Sequence, residues 1–227
     1  MLVIDNVISE EDRNDLVYSK SFKTVPDYNW WDGWWNCPPR NAVEYALYLL
    51  WQPYLGNGES IAGIEYWSRK STGRSDGLGW HQDTDESVYE TDQYNIADGS
   101  LVYYPIAEDV EGGMFCVLPY EERGSLQNVL NYIQMYEDST GKEKIRCVQN
   151  RAIIYNSARI HKISTVFSGV RENLASSFWF NKPEIFWLFK DYGVGHIDKH
   201  YIYGYRKYKN RWYIKVKNIL EKGRKQK

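Results

Sequence analysis

Two side chains in the stretch "WHQDTDE", His81 and Asp83, have the types and spacing to share a metal ion. One residue separates them, so in extended backbone both point to the same side. They then offer an imidazole and a carboxylate, two donors of a three-donor site. His161, shortly after the apolar run "AIIYN", supplies a third. Two imidazoles and one carboxylate leave three adjacent octahedral positions open, which suits non-haem Fe(II). A catalytic zinc ion accepts the same ligands, so the triad alone leaves the metal open.

Arg171 bears on that choice. It follows His161 by ten residues and is expected just past a "FSGV" turn, at the start of the next strand. A strand from His161 to Val166 spans roughly 17 Å. An arginine leaning back from that strand can meet a short dicarboxylate whose other end chelates the metal. Guanidinium pairs with carboxylate through two parallel hydrogen bonds and fixes its orientation. Zinc hydrolysis requires no such partner.

A lone His-x-Asp carries little weight, because "GHIDKH" repeats it with His196, Asp198 and His200. That second copy lacks a later histidine with an arginine ten residues on, and reads as surface polar residues ahead of a tail helix. Asp85 and Glu86 read as solvated loop carboxylates. Trp80 and Trp179 read as pocket wall or core.

The elements that must position these groups follow from pattern. "LVI" at the start reads as a short strand. Ser9 reads as an N-cap, with Asp12 three residues on, opening a helix to about Ser19. "DYNWWDGWWNCPPR" reads as a loop by its Gly and Pro-Pro. Its Trp30, Trp31, Trp34 and Trp35 suit core packing, with a substrate lid as the alternative. "NAVEYALYLLWQPYL" has Val43, Ala46, Leu49 and Leu50 at helical spacing, bounded near its end by Pro53.

From about Ser60 the texture turns to strands: "IAGIEYWSRKS", a Gly-rich loop "TGRSDGLG", then "SLVYYPI", "GMFCVLP", "KIRCVQ", "AIIYN", "HKISTV" and "ENLASSFWF". Short strands with turn residues between them predict a sandwich or barrel. Leu126, Val129, Leu130 and Ile133 predict one inserted helix near 125–136. A single domain is expected: an N-terminal part at 1–59, a β core at 60–182, and an extension at 183–227.

Composition sets the limits. The chain has 227 residues, 43% hydrophobic and 26% charged, enough for one globular core. Ten Trp and 20 Tyr favour strands and aromatic pocket walls. Cys37, Cys116 and Cys147 are scattered and odd in number, which argues against a zinc ribbon or disulfide framework and for a reducing, cytoplasmic setting. The acidic start does not read as a signal peptide, and no stretch is long and apolar enough to span a membrane. From Lys199 onward the charge is +10, against −12 for the remainder. Tyr205, Tyr208, Trp212, Val216, Ile219 and Leu220 form one helical stripe there, predicting a basic amphipathic helix docked on the body. Nucleic-acid binding by that tail is the less favoured reading.

Taken together, "EYW…G…WHQD", "SLVYYPIAEDVEGGMFCVLP", "RAIIYNSARIH" and "HKISTVFSGVRENLASSFWF" resemble the 2-oxoglutarate/Fe(II)-dependent oxygenase superfamily, in its prolyl-4-hydroxylase-like branch. The resemblance runs from about Gly63 to Asn181. It implies a double-stranded β-helix, or jelly roll, mainly β with flanking helices and α+β overall. It implies His81, Asp83 and His161 as iron ligands, and Arg171 as partner of the distal carboxylate of 2-oxoglutarate. It further implies a tyrosine at that carboxylate, with Tyr104 first and Tyr103 and Tyr66 as alternates. The implied cofactors are Fe(II) and 2-oxoglutarate, with ascorbate a further candidate.

The implied reaction is hydroxylation of an unactivated C–H, with succinate and CO2 as co-products. The implied substrate is a peptidyl residue, proline by default, or a free amino acid or other small molecule. Asn173 departs from the small or hydroxyl residue that some relatives carry two places after the arginine. Two other classes stay open at this level: a non-catalytic jelly-roll protein binding nucleic acid or a partner, and a zinc hydrolase.

Overall fold

The computed structural model describes residues 1–25, 29–85, 95–121, 126–136 and 143–183. The expectations for Glu86, for His196, Asp198 and His200, and for the basic tail fall outside these residues.

The chain begins with strand β1 (Leu2–Asp5) and helix α1 (Glu10–Tyr18). Ser9 caps α1 as expected: its hydroxyl oxygen accepts from the Asp12 amide at 3.1 Å, satisfying an N–H that the first turn leaves unpaired. A short helix α2 (Lys20–Lys23) follows. Strand β2 (Asn29–Trp31) occupies part of the segment expected to be loop. It pairs antiparallel with β3 (Gly63–Thr72), Trp30 opposite Glu65 and Trp31 opposite Ile64. Aromatic side chains suit a pleated surface, and the edge of β3 offers the unpaired backbone groups that make a strand there favourable. Trp30, Trp31 and Trp34 are buried, so these tryptophans are core and not a lid.

Helix α3 (Ala42–Leu55) is capped by Asn41, which accepts from the Glu44 amide at 2.9 Å, and runs through Pro53 to Gly56, whose φ is 55°. Its apolar face buries Leu47, Leu50 and Trp51.

The remaining strands are β4 (Leu78–His81), β5 (Gly99–Gly112), β6 (Phe115–Glu121), β7 (Glu143–Ile145), β8 (Arg151–Tyr155), β9 (Arg159–Ile163) and β10 (Val166–Trp179), with helix α4 (Leu126–Tyr136) inserted after β6. Two antiparallel sheets result: a large one ordered β1-β8-β5-β10-β3-β2 and a small one ordered β4-β9-β6-β7. From β3 to β6, and again from β8 to β10, successive strands alternate between the sheets. That winding is the double-stranded β-helix, with helices on the outside.

Side-chain alternation builds two cores from one sheet. Leu101 and Tyr103 of β5, Ile64 and Tyr66 of β3, Ala152 of β8 and Leu174 of β10 face α1–α3. Val102 and Tyr104, Ile153 and Tyr155, and Ala175 face the opposite way, into the space between the sheets, against Phe115, Val117 and Ile145. On the far side of the small sheet, Val129 of α4 packs against Leu118 and Ile160. Leu130, expected on the same helical stripe, stays 51% exposed because the small sheet is too narrow to cover a wide helix face.

A second difference concerns the "FSGV" segment. It is no turn but the irregular start of β10, whose register with β5 shifts between Val166 and Ser168 and again between Ser168 and Val170. Gly169 has φ of 87°, and a Cβ there would sit 2.3 Å from the Asp109 carbonyl oxygen. Such bulges bend a strand without ending it. Arg171 consequently lies inside β10, with Ser71 of β3 on one side and Ala107 of β5 on the other.

Candidate metal centre

β4 and β9 run antiparallel with His81 directly opposite His161, and their rings lie 4.2 Å apart between centroids. Asp83 follows just beyond the strand end. Its carbonyl accepts from the Ala97 amide at 3.0 Å, and the Asp85 amide donates to the Asn95 carbonyl at 2.9 Å. These bonds keep the segment extended after β4 stops. The buried Gln82 amide donates to the Ala158 carbonyl on the other side, so alternation turns Asp83 back toward the histidines. One donor atom from each of His81, Asp83 and His161 lies within 4.8 Å of the others.

Orientation matters as much as proximity. His81 Nδ1 lies 2.8 Å from the Gly79 carbonyl oxygen and His161 Nδ1 lies 2.9 Å from that of Arg159. A carbonyl can only accept, so each Nδ1 carries the proton and each Nε2 presents a lone pair. Both Nε2 atoms face Asp83 Oδ1, at 3.9 Å from His81 and 3.7 Å from His161. Burial, then the neighbouring His81, pushes the His161 imidazole down to about 4, with Asp83 opposing the shift. The ring is therefore neutral near pH 7, as a metal ligand must be. Two imidazole nitrogens and one carboxylate oxygen on one wall could hold a divalent transition ion with open positions toward the cavity.

That cavity, of about 470 Å³, lies between the sheets and reaches from the three donors to Arg171 and Asn173 of β10. Arg171 is 4% exposed. No carboxylate among the described residues pairs with it: the adjacent Glu172 turns outward to Lys70 across the ladder. Its guanidinium sits 5.2 Å from the centre of the Tyr104 ring, with the Cys147 thiol also near. Burial pushes the Tyr104 phenol up to about 12 and the Cys147 thiol up to about 11, so both are neutral and neither balances the charge. A buried cation without a counter-ion is costly, so an anion beside it would be favourable.

Among the described residues, buried polar atoms without a hydrogen-bond partner include Arg171 Nε, Asn173 Oδ1 and Ser75 Oγ, on residues that line the cavity. Buried groups of this kind ordinarily find a hydrogen bond, so they could take one from a molecule in the cavity.

The structure thus brings His81, Asp83, His161 and Arg171 to one cavity. Tyr104 packs under Arg171. Tyr103 and Tyr66 face the helices instead: Tyr103 donates to Asn150 Oδ1 at 3.1 Å, and Tyr66 is buried beside Glu44. They are one residue out of phase with the cavity face of their strands. Asp85 is not solvated as expected but 2% exposed, in a stretch whose backbone pairs with that of Asn95 and Ala97. Trp179 is core, its indole donating to Glu65 at 3.0 Å.

Two contributors escape the sequence reading. Tyr155 donates its hydroxyl proton to Asp83 Oδ2 at 2.9 Å. The sequence does carry a signal, since Tyr155 is the one hydroxyl among the inward positions of "AIIYN". Ser75 carries none; it reaches the cavity because the β3–β4 connection folds over it. There Ser75 bridges Val166, and a Cβ on Gly77 would fall 1.9 Å from the Ile163 carbonyl oxygen.

No protein-family model matches the chain, and no curated protein matches it. Among solved structures it is similar to a prolyl hydroxylase from Trichoplax adhaerens in complex with a hypoxia inducible factor peptide fragment. That match has 13% identity over 78% of this chain and 82% of the other, with a TM-score of 0.49. It is also similar to the viral collagen prolyl hydroxylase of Paramecium bursaria Chlorella virus-1 in its 2-oxoglutarate complex, with 15% identity over 78% and 94% of the two chains and a TM-score of 0.47. A 2-oxoglutarate/Fe(II) oxygenase family member from Burkholderia pseudomallei matches at 16% identity over 62% of this chain, with a TM-score of 0.39; the match spans 57% of that protein. At such identities these likenesses assign no residue and no reaction to this chain.

Proposed function

We propose that this protein is an Fe(II)- and 2-oxoglutarate-dependent dioxygenase that hydroxylates an unactivated C–H of a peptidyl or free amino-acid residue, with proline the first candidate. One observation carries the reading: a buried guanidinium without a carboxylate partner among the described residues shares a cavity with two imidazoles and a carboxylate. Zinc hydrolysis does not require that cation, and binding alone does not require the three converging donors.

His81, Asp83 and His161 would hold the metal on the small sheet. Arg171 would receive the far carboxylate of 2-oxoglutarate on the large sheet, with Ser75, Asn173 and Tyr104 within the same lining or just behind it. When bound, Fe(II) and 2-oxoglutarate would supply the activation of dioxygen, the oxidant: one of its oxygen atoms ends in succinate as the diacid loses CO2, and the other in the hydroxyl that replaces the substrate hydrogen. The chain's own part is placement and dryness. The Arg171 fork sets the direction of the diacid, and the Nδ1–carbonyl bonds keep both imidazoles turned inward. Phe115, Val102 and Ala175 keep the cavity floor apolar, so charges there act in a low dielectric. The cavity is roomier than a five-carbon diacid needs and leaves space beside it for a substrate side chain.

The test is Fe(II)-dependent conversion of 2-oxoglutarate to succinate, combined with mass spectrometry of a peptide pool for a gain of one oxygen. Absence of succinate with every candidate peptide and amino acid, despite metal binding, would defeat the reading.

A further inference from the structure

We infer that Tyr155 is a positioning residue for the metal, holding Asp83 so that only Oδ1 is offered to the ion. The inference rests on the metal-binding part of the function proposed above and concerns a residue outside the three donors.

The two oxygens of Asp83 have different surroundings. Oδ1 faces the Nε2 atoms of both histidines. Oδ2 accepts the Tyr155 hydroxyl proton at 2.9 Å, the shorter contact of a phenol oxygen that also lies 3.3 Å from His161 Nε2. A carboxylate free to rotate could chelate with both oxygens and take two positions on the ion. With Oδ2 engaged by a phenol, the second position stays free for other ligands.

Tyr155 is itself held firmly enough for this task. It is 5% exposed, and its ring lies 4.9 Å from Phe115 and 4.8 Å from His161 between centroids. The Ser100 hydroxyl lies close to the phenol. Ser100 is in turn fixed by hydroxyl contacts to Ser157 at 2.7 Å and Ser177 at 2.9 Å. These three serines are essentially buried, and they come from β5, the β8–β9 turn and β10. Three buried hydroxyls from separate segments thus fix the surroundings of the phenol, and the short Tyr155–Asp83 bond in a dry interior constrains the direction of that carboxylate.

The test titrates metal-free full-length chain with Co(II), without 2-oxoglutarate, following visible absorption and affinity together. Tyr155→Phe removes one oxygen and keeps the ring. It is expected to weaken Co(II) binding by roughly ten- to a hundredfold and to change the Co(II) absorption bands. The thermal midpoint of the metal-free chain serves as a control for folding. Ser100→Ala, which keeps the phenol and removes the hydroxyl beside it, is expected to shift the bands in the same direction with a smaller loss. Parent-like affinity and bands in Tyr155→Phe, or in Ser100→Ala should the first variant not fold, overturn the inference. A parent chain that binds Co(II) but never consumes 2-oxoglutarate defeats the oxygenase reading and leaves this one standing.

Discussion

His81 and His161 face each other across the β4–β9 ladder, each with Nδ1 tied to a backbone carbonyl two residues earlier in its own strand. The same small local motif occurs twice, and antiparallel pairing brings the copies together with both Nε2 atoms aimed inward. Neither ring needs a side-chain partner to hold its tautomer. The metal wall is thus built from the ladder itself.

If this wall binds the metal, removing any donor leaves two, too few for a stable ion in an open site. His161→Ala and Asp83→Ala are each expected to lower Fe(II)-dependent succinate formation by at least about a hundredfold and to abolish tight Co(II) binding. Calorimetric titration with Co(II) checks the second effect independently of turnover.

Arg171 should act on the diacid alone. A charge-assisted bidentate contact contributes about 1.5–3 kcal/mol, so Arg171→Ala is expected to raise the half-saturating 2-oxoglutarate concentration by roughly ten- to a hundredfold. Co(II) affinity should not change. Arg171→Met, which fills similar space without the unpaired charge, should leave the metal-free chain at least as stable as the parent in urea.

His161 makes the metal-free fold acid-sensitive, with a definite sign. Its imidazole lies at about 4 in the folded chain, below the ordinary value near 6.5. Between those values the unfolded chain binds a proton that the folded chain refuses, so stability falls as pH drops from about 6.5 toward 4. The full shift corresponds to about 3 kcal/mol. Urea midpoints across this range should fall more steeply for the parent than for His161→Gln.

Gly169 permits the bulge that sets Arg171 in place. Its φ of 87° is one that L side chains rarely adopt, and an added Cβ would meet the Asp109 carbonyl at 2.3 Å. Gly169→Ala is expected to destabilise the chain by about 1–3 kcal/mol and to raise the 2-oxoglutarate requirement as Arg171 shifts. Thermal unfolding and succinate kinetics read the two effects separately.

Much of the site was legible in the residues. His-x-Asp, a later histidine after an apolar strand, and an arginine ten residues on are local patterns, and period-two alternation says which side chains share a face. Ser9 and the helix it opens were likewise readable from capping, and helix α3 from periodicity, while the Asn41 cap went unread. The limits are equally specific. Tyr103, Tyr104 and Tyr66 are three strand tyrosines that composition cannot separate; only the register of β3, β5 and β10 puts Tyr104 toward the cavity and the other two under the helices. Asp85 read as solvated because nothing local reveals that its backbone pairs with Asn95. Ser75 and Tyr155 gained their places from contacts between strands far apart in sequence. Sequence by itself determined which chemical groups were on hand and which strand or helix carried each. Tertiary structure alone decided which of them meet, because strand register and sheet-to-sheet packing are set by long-range pairing that no local window contains.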